Sequence, residues 1–117
     1  MSFPRSSRLV TKADFSRVFD EPLKVGQRWL TLLCRPNQKK QARIGIIVGK
    51  RVARLAVDRN RIRRIVRDSF RFNQEKLDGL DIVVIARQHC DTLSKEKLRK
   101  GIDQLWEKLL TQHQQHL

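Results

Sequence analysis

The chain has 117 residues, with 26 Lys and Arg against 12 Asp and Glu, a formal net charge of +14. Its hydrophobic content of 39% excludes a wholly disordered chain and suits a single domain, 1–117, around one modest core. So large a surplus calls for a polyanion, either nucleic acid or an anionic membrane.

Membrane is the weaker reading. No apolar run approaches the roughly 20 residues of a spanning helix, and the opening MSFPRSSRLV lacks the apolar centre of a signal peptide. Cys34 and Cys90 belong to no CxxC pair and are expected as reduced, half-buried thiols of a cytoplasmic protein. The charge is uneven. Residues 1–41 hold 9 bases and 3 acids, residues 42–73 hold 10 and 2, and residues 74–117 hold 7 and 7. The excess of +6 and +8 therefore lies wholly in the first two-thirds, and the balanced last third is expected to cover a core.

In chain order, residues 1–10 are expected to form a loosely held basic arm. TKADFSRVF predicts a short helix, with Thr11 as N-cap and Asp14 completing a capping-box-like pair. Phe15, Val18 and Phe19 then share a face. EPLKVGQR, with Pro22 and Gly26, predicts a turn and a brief strand near Leu23–Val25. RWLTLLCR and ARIGIIVG predict strands, and the polar loop PNQKKQ between them predicts that they pair as a hairpin. DIVVIAR is a further strand after the Asp78-Gly79 turn. From Ser94 on, Leu98, Ile102, Leu105, Trp106 and Leu109 follow helical spacing. The order predicts an α+β sandwich with helices on a small mixed sheet.

Between the second and third of these apolar strands lies RNRIRRIVRDSFR, Arg59–Arg71, with six arginines and one acid, Asp68. At about 100° per residue, Ile62, Ile65, Val66, Phe70 and Phe72 gather on one face. Asn60, Arg63, Arg64, Arg67 and Arg71 occupy the other, and Arg59 and Arg61 flank the apolar stripe. Such a pattern is an amphipathic helix with a guanidinium face rather than a disordered arm. Arginines at i, i+4 repel, and only Asp68 is placed to pair with Arg64. A solvated charged face would mix its signs. Arginine over lysine favours bidentate grip on phosphate and stacking on bases.

The block RIGIIVGKRVARLAVDRNRIRRIVRDSFR, Arg43–Arg71, resembles the signature of the protein subunit of bacterial ribonuclease P, with Arg59-Asn60-Arg61 matching its Arg-Asn-Arg element. RLVTKADFSRVF resembles that family's first helix, and the likeness runs from roughly Arg8 to Leu110. The resemblance implies an α-β-β-β-α-β-α sandwich with a left-handed crossover around the arginine helix, against the usual preference. It implies a single RNA-binding domain, partnered by a large catalytic RNA and by precursor tRNA, with no obligate protein partner. In that family the RNA, with bound Mg²⁺, hydrolyses the phosphodiester that joins the 5′ leader. The protein binds the leader and supports the active state, with no catalytic or metal-holding residue of its own. Carried over by position, Arg8, Arg59, Asn60, Arg61, Arg63, Arg64 and Arg67 would meet the catalytic RNA. Phe15, Phe19, Lys50 and Arg51 would line the leader cleft. Two departures stand out: Leu33 replaces an aromatic frequent on the family's sheet face, and the basic pair is Lys50-Arg51 rather than two lysines.

Other readings fare worse. Phe15 and Phe19 are either core residues or base platforms. Trp29 and Trp106 read as core or partial core. GIIVGKR has no Ser or Thr after its lysine, so it is not a P-loop; Gly45 and Gly49 are expected to permit strand twist or a close approach. His89, Cys90, His113 and His116 are too scattered for zinc, and Asp78 with Asp81 lacks a third acid for a two-metal site. A ribosomal or other RNA-structural protein shares the charge and fold class but not the Arg-Asn-Arg signature. A protein-only nuclease would need a general base and metal ligands that are not recognisable here.

Overall fold

A computed structural model describes residues 7–115 of the chain. Its elements are α1 (Lys12–Phe19), β1 (Leu23–Gly26), β2 (Leu30–Pro36), β3 (Arg43–Ile47), α2 (Ala56–Asn73), β4 (Leu80–Ala86) and α3 (Lys95–Gln115). Short 3-10 turns precede β4 and α3. The order is the α-β-β-β-α-β-α expected from the sequence.

The capping box forms as the sequence predicts. The Asp14 N–H donates to Thr11 Oγ1 at 3.1 Å, and Asp14 Oδ2 accepts from the Thr11 N–H at 3.2 Å. At the other end of α1, Arg35 Nη1 donates to the carbonyls of Arg17 and Asp20 at 3.3 and 2.8 Å. A cation on unpaired C-terminal carbonyls is the favourable placement, and it fixes the turn that carries Phe19.

The four strands lie in the order β1-β2-β4-β3. β2 and β3 do not form the expected hairpin. β4 separates them, antiparallel to β2 and parallel to β3. The reason is in the burial of β4: all of Leu80–Ala86 is buried except the half-buried Ile85. A strand that apolar needs neighbours on both edges and layers on both faces. The loop between β2 and β3 therefore spans the end of β4, where the Asn37 N–H donates to the Gly79 carbonyl at 2.8 Å. The chain's segment expected as a loose arm also departs in part. Ser7 and Leu9 are buried, and the Leu9 N–H donates to the Ile44 carbonyl at 2.9 Å, extending the sheet beyond β3. Residues 1–6 of that arm lie outside the described residues.

α2 and α3 cover one face of the sheet. Leu32, Cys34, Ile44, Ile82 and Val84 meet Ile62, Val66, Phe70, Leu98, Ile102, Leu105 and Trp106 in the main core. The Trp106 indole N–H donates to Ser69 Oγ at 2.8 Å, and that hydroxyl bonds Asp103, so the polar atoms between the helices are satisfied. Phe70 packs edge-to-face on Trp106 with centroids 6.1 Å apart. Phe72, expected on the apolar face, is instead 81% exposed. It sits in the last turn of α2, beyond the sheet, with the Arg99 guanidinium 5.0 Å from its ring centroid. Asp68 and Arg64 form no ion pair among the described residues.

The opposite face is only partly covered. Leu9, Phe15, Val18, Leu33 and Val83 form a second, smaller cluster beneath α1. Both cysteines are free and fully buried rather than half-buried. Burial pushes the thiol of Cys34 up to about 12 and that of Cys90 to about 11.

Candidate nucleic-acid interface

The register divides the α1 face of the sheet into rows. Arg35, Asp81 and Arg43 are partners in one, Leu33, Val83 and Gly45 in the next, and Thr31, Ile85 and Ile47 in the third. The first row is a polar anchor. Asp81 is 2% exposed and takes Arg43 bidentately at 2.8 and 2.6 Å, with Asn37 Nδ2 donating at 2.9 Å. This carboxylate is committed to holding strands together and is unavailable as a metal ligand; Asp78 lies exposed at its turn. Among the described residues no group of three or more His, Cys, Asp or Glu side chains is placed to hold a metal ion.

The second row lies under α1. A Cβ on Gly45 would fall 2.5 Å from Cε1 and Cζ of Phe15, so only glycine lets that ring lie on the strand. Gly49 has nothing within 4 Å of the equivalent position, so no close approach explains it. Leu33 is buried in the same cluster. It fills the space between α1 and the sheet and presents no face to a ligand.

The third row is open. Ile47 and Ile85 are half-buried, and Phe19, at 47% exposure, stands at the end of α1. Lys50 and Arg51 are exposed in the turn after β3, whose backbone is closed by the Val52 and Ala53 N–H groups on the Gly49 carbonyl, each at 3.1 Å. The sequence reading missed Arg87. Two residues beyond Ile85, it returns to the same face, and its Nε donates to Thr31 Oγ1 at 3.0 Å. Because β3 and β4 are parallel, their C-terminal ends bring Arg87 and Lys50-Arg51 to one end of the groove. The period-two step from Ile85 was the available signal.

The arginines of α2 divide into two kinds. Arg59 Nη1 donates to the carbonyls of Ala53 and Arg54 at 3.0 and 2.8 Å, closing the loop before the helix. Arg61 Nη2 donates to the Leu93 carbonyl at 2.9 Å, tying α2 to the approach to α3. Asn60 and Arg64 are exposed, and Asn60 Oδ1 accepts from Arg63 Nη1 at 3.3 Å. Partial burial, then Arg8 and then Arg63, make Arg67 easier to deprotonate than a free guanidinium. Arg8, Asn60, Arg63, Arg64 and Arg67 thus form one cationic surface, while Arg59 and Arg61 brace it. No helix among the described residues is long and apolar enough to cross a membrane.

A small α+β sandwich with a guanidinium surface on one helix and, across the sheet, a groove with aromatic and basic residues has the make-up of a nucleic-acid-binding protein. The family model for ribonuclease P matches residues 3–110. The ribonuclease P protein component of Pseudomonas aeruginosa (strain LESB58) is 46% identical over 109 residues, 92% of this chain and 81% of that protein. That of Pseudoalteromonas translucida (strain TAC 125) is 39% identical over 108 residues, 92% and 77% respectively. The RNase P protein of Staphylococcus aureus superposes with a TM-score of 0.81 at 27% identity, covering 86% of this chain and 93% of that one. The RNase P protein of Thermotoga maritima, solved with 1-(4-fluorophenyl)-2-thiourea, gives 0.77 at 30% identity, covering 84% and 95%. The chain belongs to the ribonuclease P protein family, the protein component of an endoribonuclease that processes tRNA.

Proposed function

We propose that this chain carries two RNA ligands on two faces: the catalytic RNA on α2, and the 5′ leader of precursor tRNA in the groove between α1 and the sheet. The observation that supports this is their separation. The guanidinium face of α2, Asn60, Arg63, Arg64 and Arg67, suits folded RNA held through phosphates; the exposed aromatic of this helix, Phe72, lies off that face against the Arg99 guanidinium. The groove joins Phe19 and the open Ile47–Ile85 row to Lys50, Arg51 and Arg87, which suits an unpaired strand whose bases stack and whose backbone meets cations.

Phosphodiester hydrolysis, leaving a 5′-phosphate on the tRNA, is the work of the RNA partner with its Mg²⁺. Among the described residues no cluster of ligands fits a metal site, and Asp81 is held by Arg43 and Asn37. The chain's part is to bind and orient the leader and to shield phosphates that would repel as the RNA folds. Its place is the cytoplasm, with its RNA partners.

The test is cleavage of precursor tRNA by the chain, by the cognate RNA, and by both, across Mg²⁺ concentrations. The protein alone should cleave nothing and should lower the Mg²⁺ that the RNA requires. Metal-dependent cleavage by protein freed of RNA would refute the reading. Phe19→Ala should weaken precursor-tRNA binding by the assembled enzyme by about 1–3 kcal/mol, with mature tRNA and assembly nearly untouched. Since Phe19 is about half exposed, its melting temperature should barely move; a large drop, with loss of both interactions, would return Phe19 to the core.

A further inference from the structure

We propose that the surface for the catalytic RNA does not end at α2. It turns around the edge of the sheet through Arg8 and continues to the Lys39–Lys40 loop, which takes phosphates of the same RNA. This rests on the assignment of α2 made above.

β3 is an edge strand, and its outer side is covered by the segment from Ser7 to Leu9. Ser7 and Leu9 are buried and Arg8 between them is exposed, so the segment projects one guanidinium from the edge. On one side Arg8 shares a depression with Leu9, Val10 and Arg67. On the other it lines a groove of about 600 Å³ with Lys39, Lys40, Gln41 and Arg43. Among the described residues the one carboxylate of that groove, Asp14, is already matched by Arg17 at 3.1 Å and Arg43 at 3.6 Å. Neither lysine forms an ion pair among the described residues. Arg63, Arg67, Arg8 and the two lysines therefore make one uninterrupted cationic band.

The loop is held in place rather than left to move. Asn37 Oδ1 accepts from the Lys39 N–H at 2.7 Å, and Asn37 Nδ2 donates to the Gln41 carbonyl at 3.0 Å. Gln41 and Gln74 both donate to Ser7 Oγ, at 2.6 and 2.9 Å, which pins the loop, the edge segment and the end of α2 to one buried hydroxyl. A fixed backbone lowers the ordering cost of binding. Among the described residues the groove has no aromatic side chain, and lysine is a point charge, so its ligand is the phosphate backbone. It lies at the start of β3, whereas the leader groove has its cations at the opposite end. Continuity with α2 therefore assigns it to the catalytic RNA.

Binding of the full chain to the catalytic RNA, followed across salt concentration, tests this. The paired variant Lys39→Gln, Lys40→Gln should flatten the log–log slope by about 1.4 to 1.8 if each lysine neutralises one phosphate. Thermal unfolding, measured alongside, should not change, because both lysine side chains are exposed and the loop is held through the Lys39 backbone N–H. An unchanged slope in the paired variant, with a flatter one in Arg63→Gln, would end the interface at α2 and overturn the proposal while leaving the α2 assignment standing. Unchanged slopes in both would overturn the two together. Weaker precursor-tRNA binding by the assembled enzyme, with an unchanged assembly slope, would give the lysines to the substrate and overturn it as well.

Discussion

Gly45 decides where Phe15 lies. With any side chain at 45, the ring that now rests on β3 would have to lift, since two of its carbons stand 2.5 Å from the Cβ position. Gly45→Ala should therefore cost about 1–3 kcal/mol, the usual range for overpacking, read as a lower melting temperature. Gly49→Ala is the control, since its Cβ meets nothing and its stability should hold or rise slightly. The two glycines look alike in GIIVG, and so do the two phenylalanines of α1. Spacing puts Phe15 and Phe19 on one helix face, but only the partner strand shows that one ring closes a core while the other stays half exposed. Leu33 carries the same lesson: its neighbours Val18 and Val83, not its identity, make it core.

At the scale of elements, α2 was legible because eighteen residues with one apolar stripe leave few alternatives. What periodicity could not assign was the use of each arginine. Arg59 and Arg61 bond carbonyls 5 to 32 residues away, contacts that no wheel contains. Arg59→Ala and Arg61→Ala should each lose about 1.5 kcal/mol of stability, as charged hydrogen bonds do. Arg64→Ala, on an exposed position, should stay within about 0.5 kcal/mol yet weaken assembly with the catalytic RNA. Denaturant unfolding and RNA binding on the same three variants check this division. The expected hairpin fails for a related cause: the polar loop suggested pairing between β2 and β3, and only the run of five apolar residues, 82–86, in β4 pointed to a strand needing both. For α1, the Thr11 N–H, aided by Val10, the Thr11 hydroxyl and Arg43, holds the Asp14 carboxyl below its ordinary 3.8 despite partial burial. A depressed folded value means that this stabilisation is complete above the unfolded value and is lost as pH falls through the folded one. Asp14→Asn should flatten the acid limb of the stability curve below about pH 4, measured by unfolding from neutral to strongly acidic pH.

For the whole molecule, the uneven charge was the most readable feature. The neutral last third supplies α3 and β4, the second layer and the centre of the sheet, and the cations lie on what surrounds them. That arrangement leaves the free chain under self-repulsion, with Arg59, Arg63, Arg67 and Arg71 spaced i, i+4 along one helix. Salt shortens the reach of these charges from about 10 Å at 0.1 M to about 3 Å at 1 M. The melting temperature of the protein alone should therefore rise with salt while its hold on RNA falls, and a scan of both on one preparation would show the opposing trends.

The central position of β4 also orders events in time. A ribosome making this chain delivers α1, three strands and the arginine helix before it delivers the strand that β2 and β3 both require. Until residues 80–86 emerge, β1 and β2 form at most a bare hairpin, β3 has no strand partner, and the apolar side of α2 has no finished sheet to cover. The most basic third of the polypeptide, residues 42–73, is thus synthesised before the strand that completes the sheet it packs on. A chain halted before this seven-residue segment should have neither a stable sheet nor a defined RNA surface.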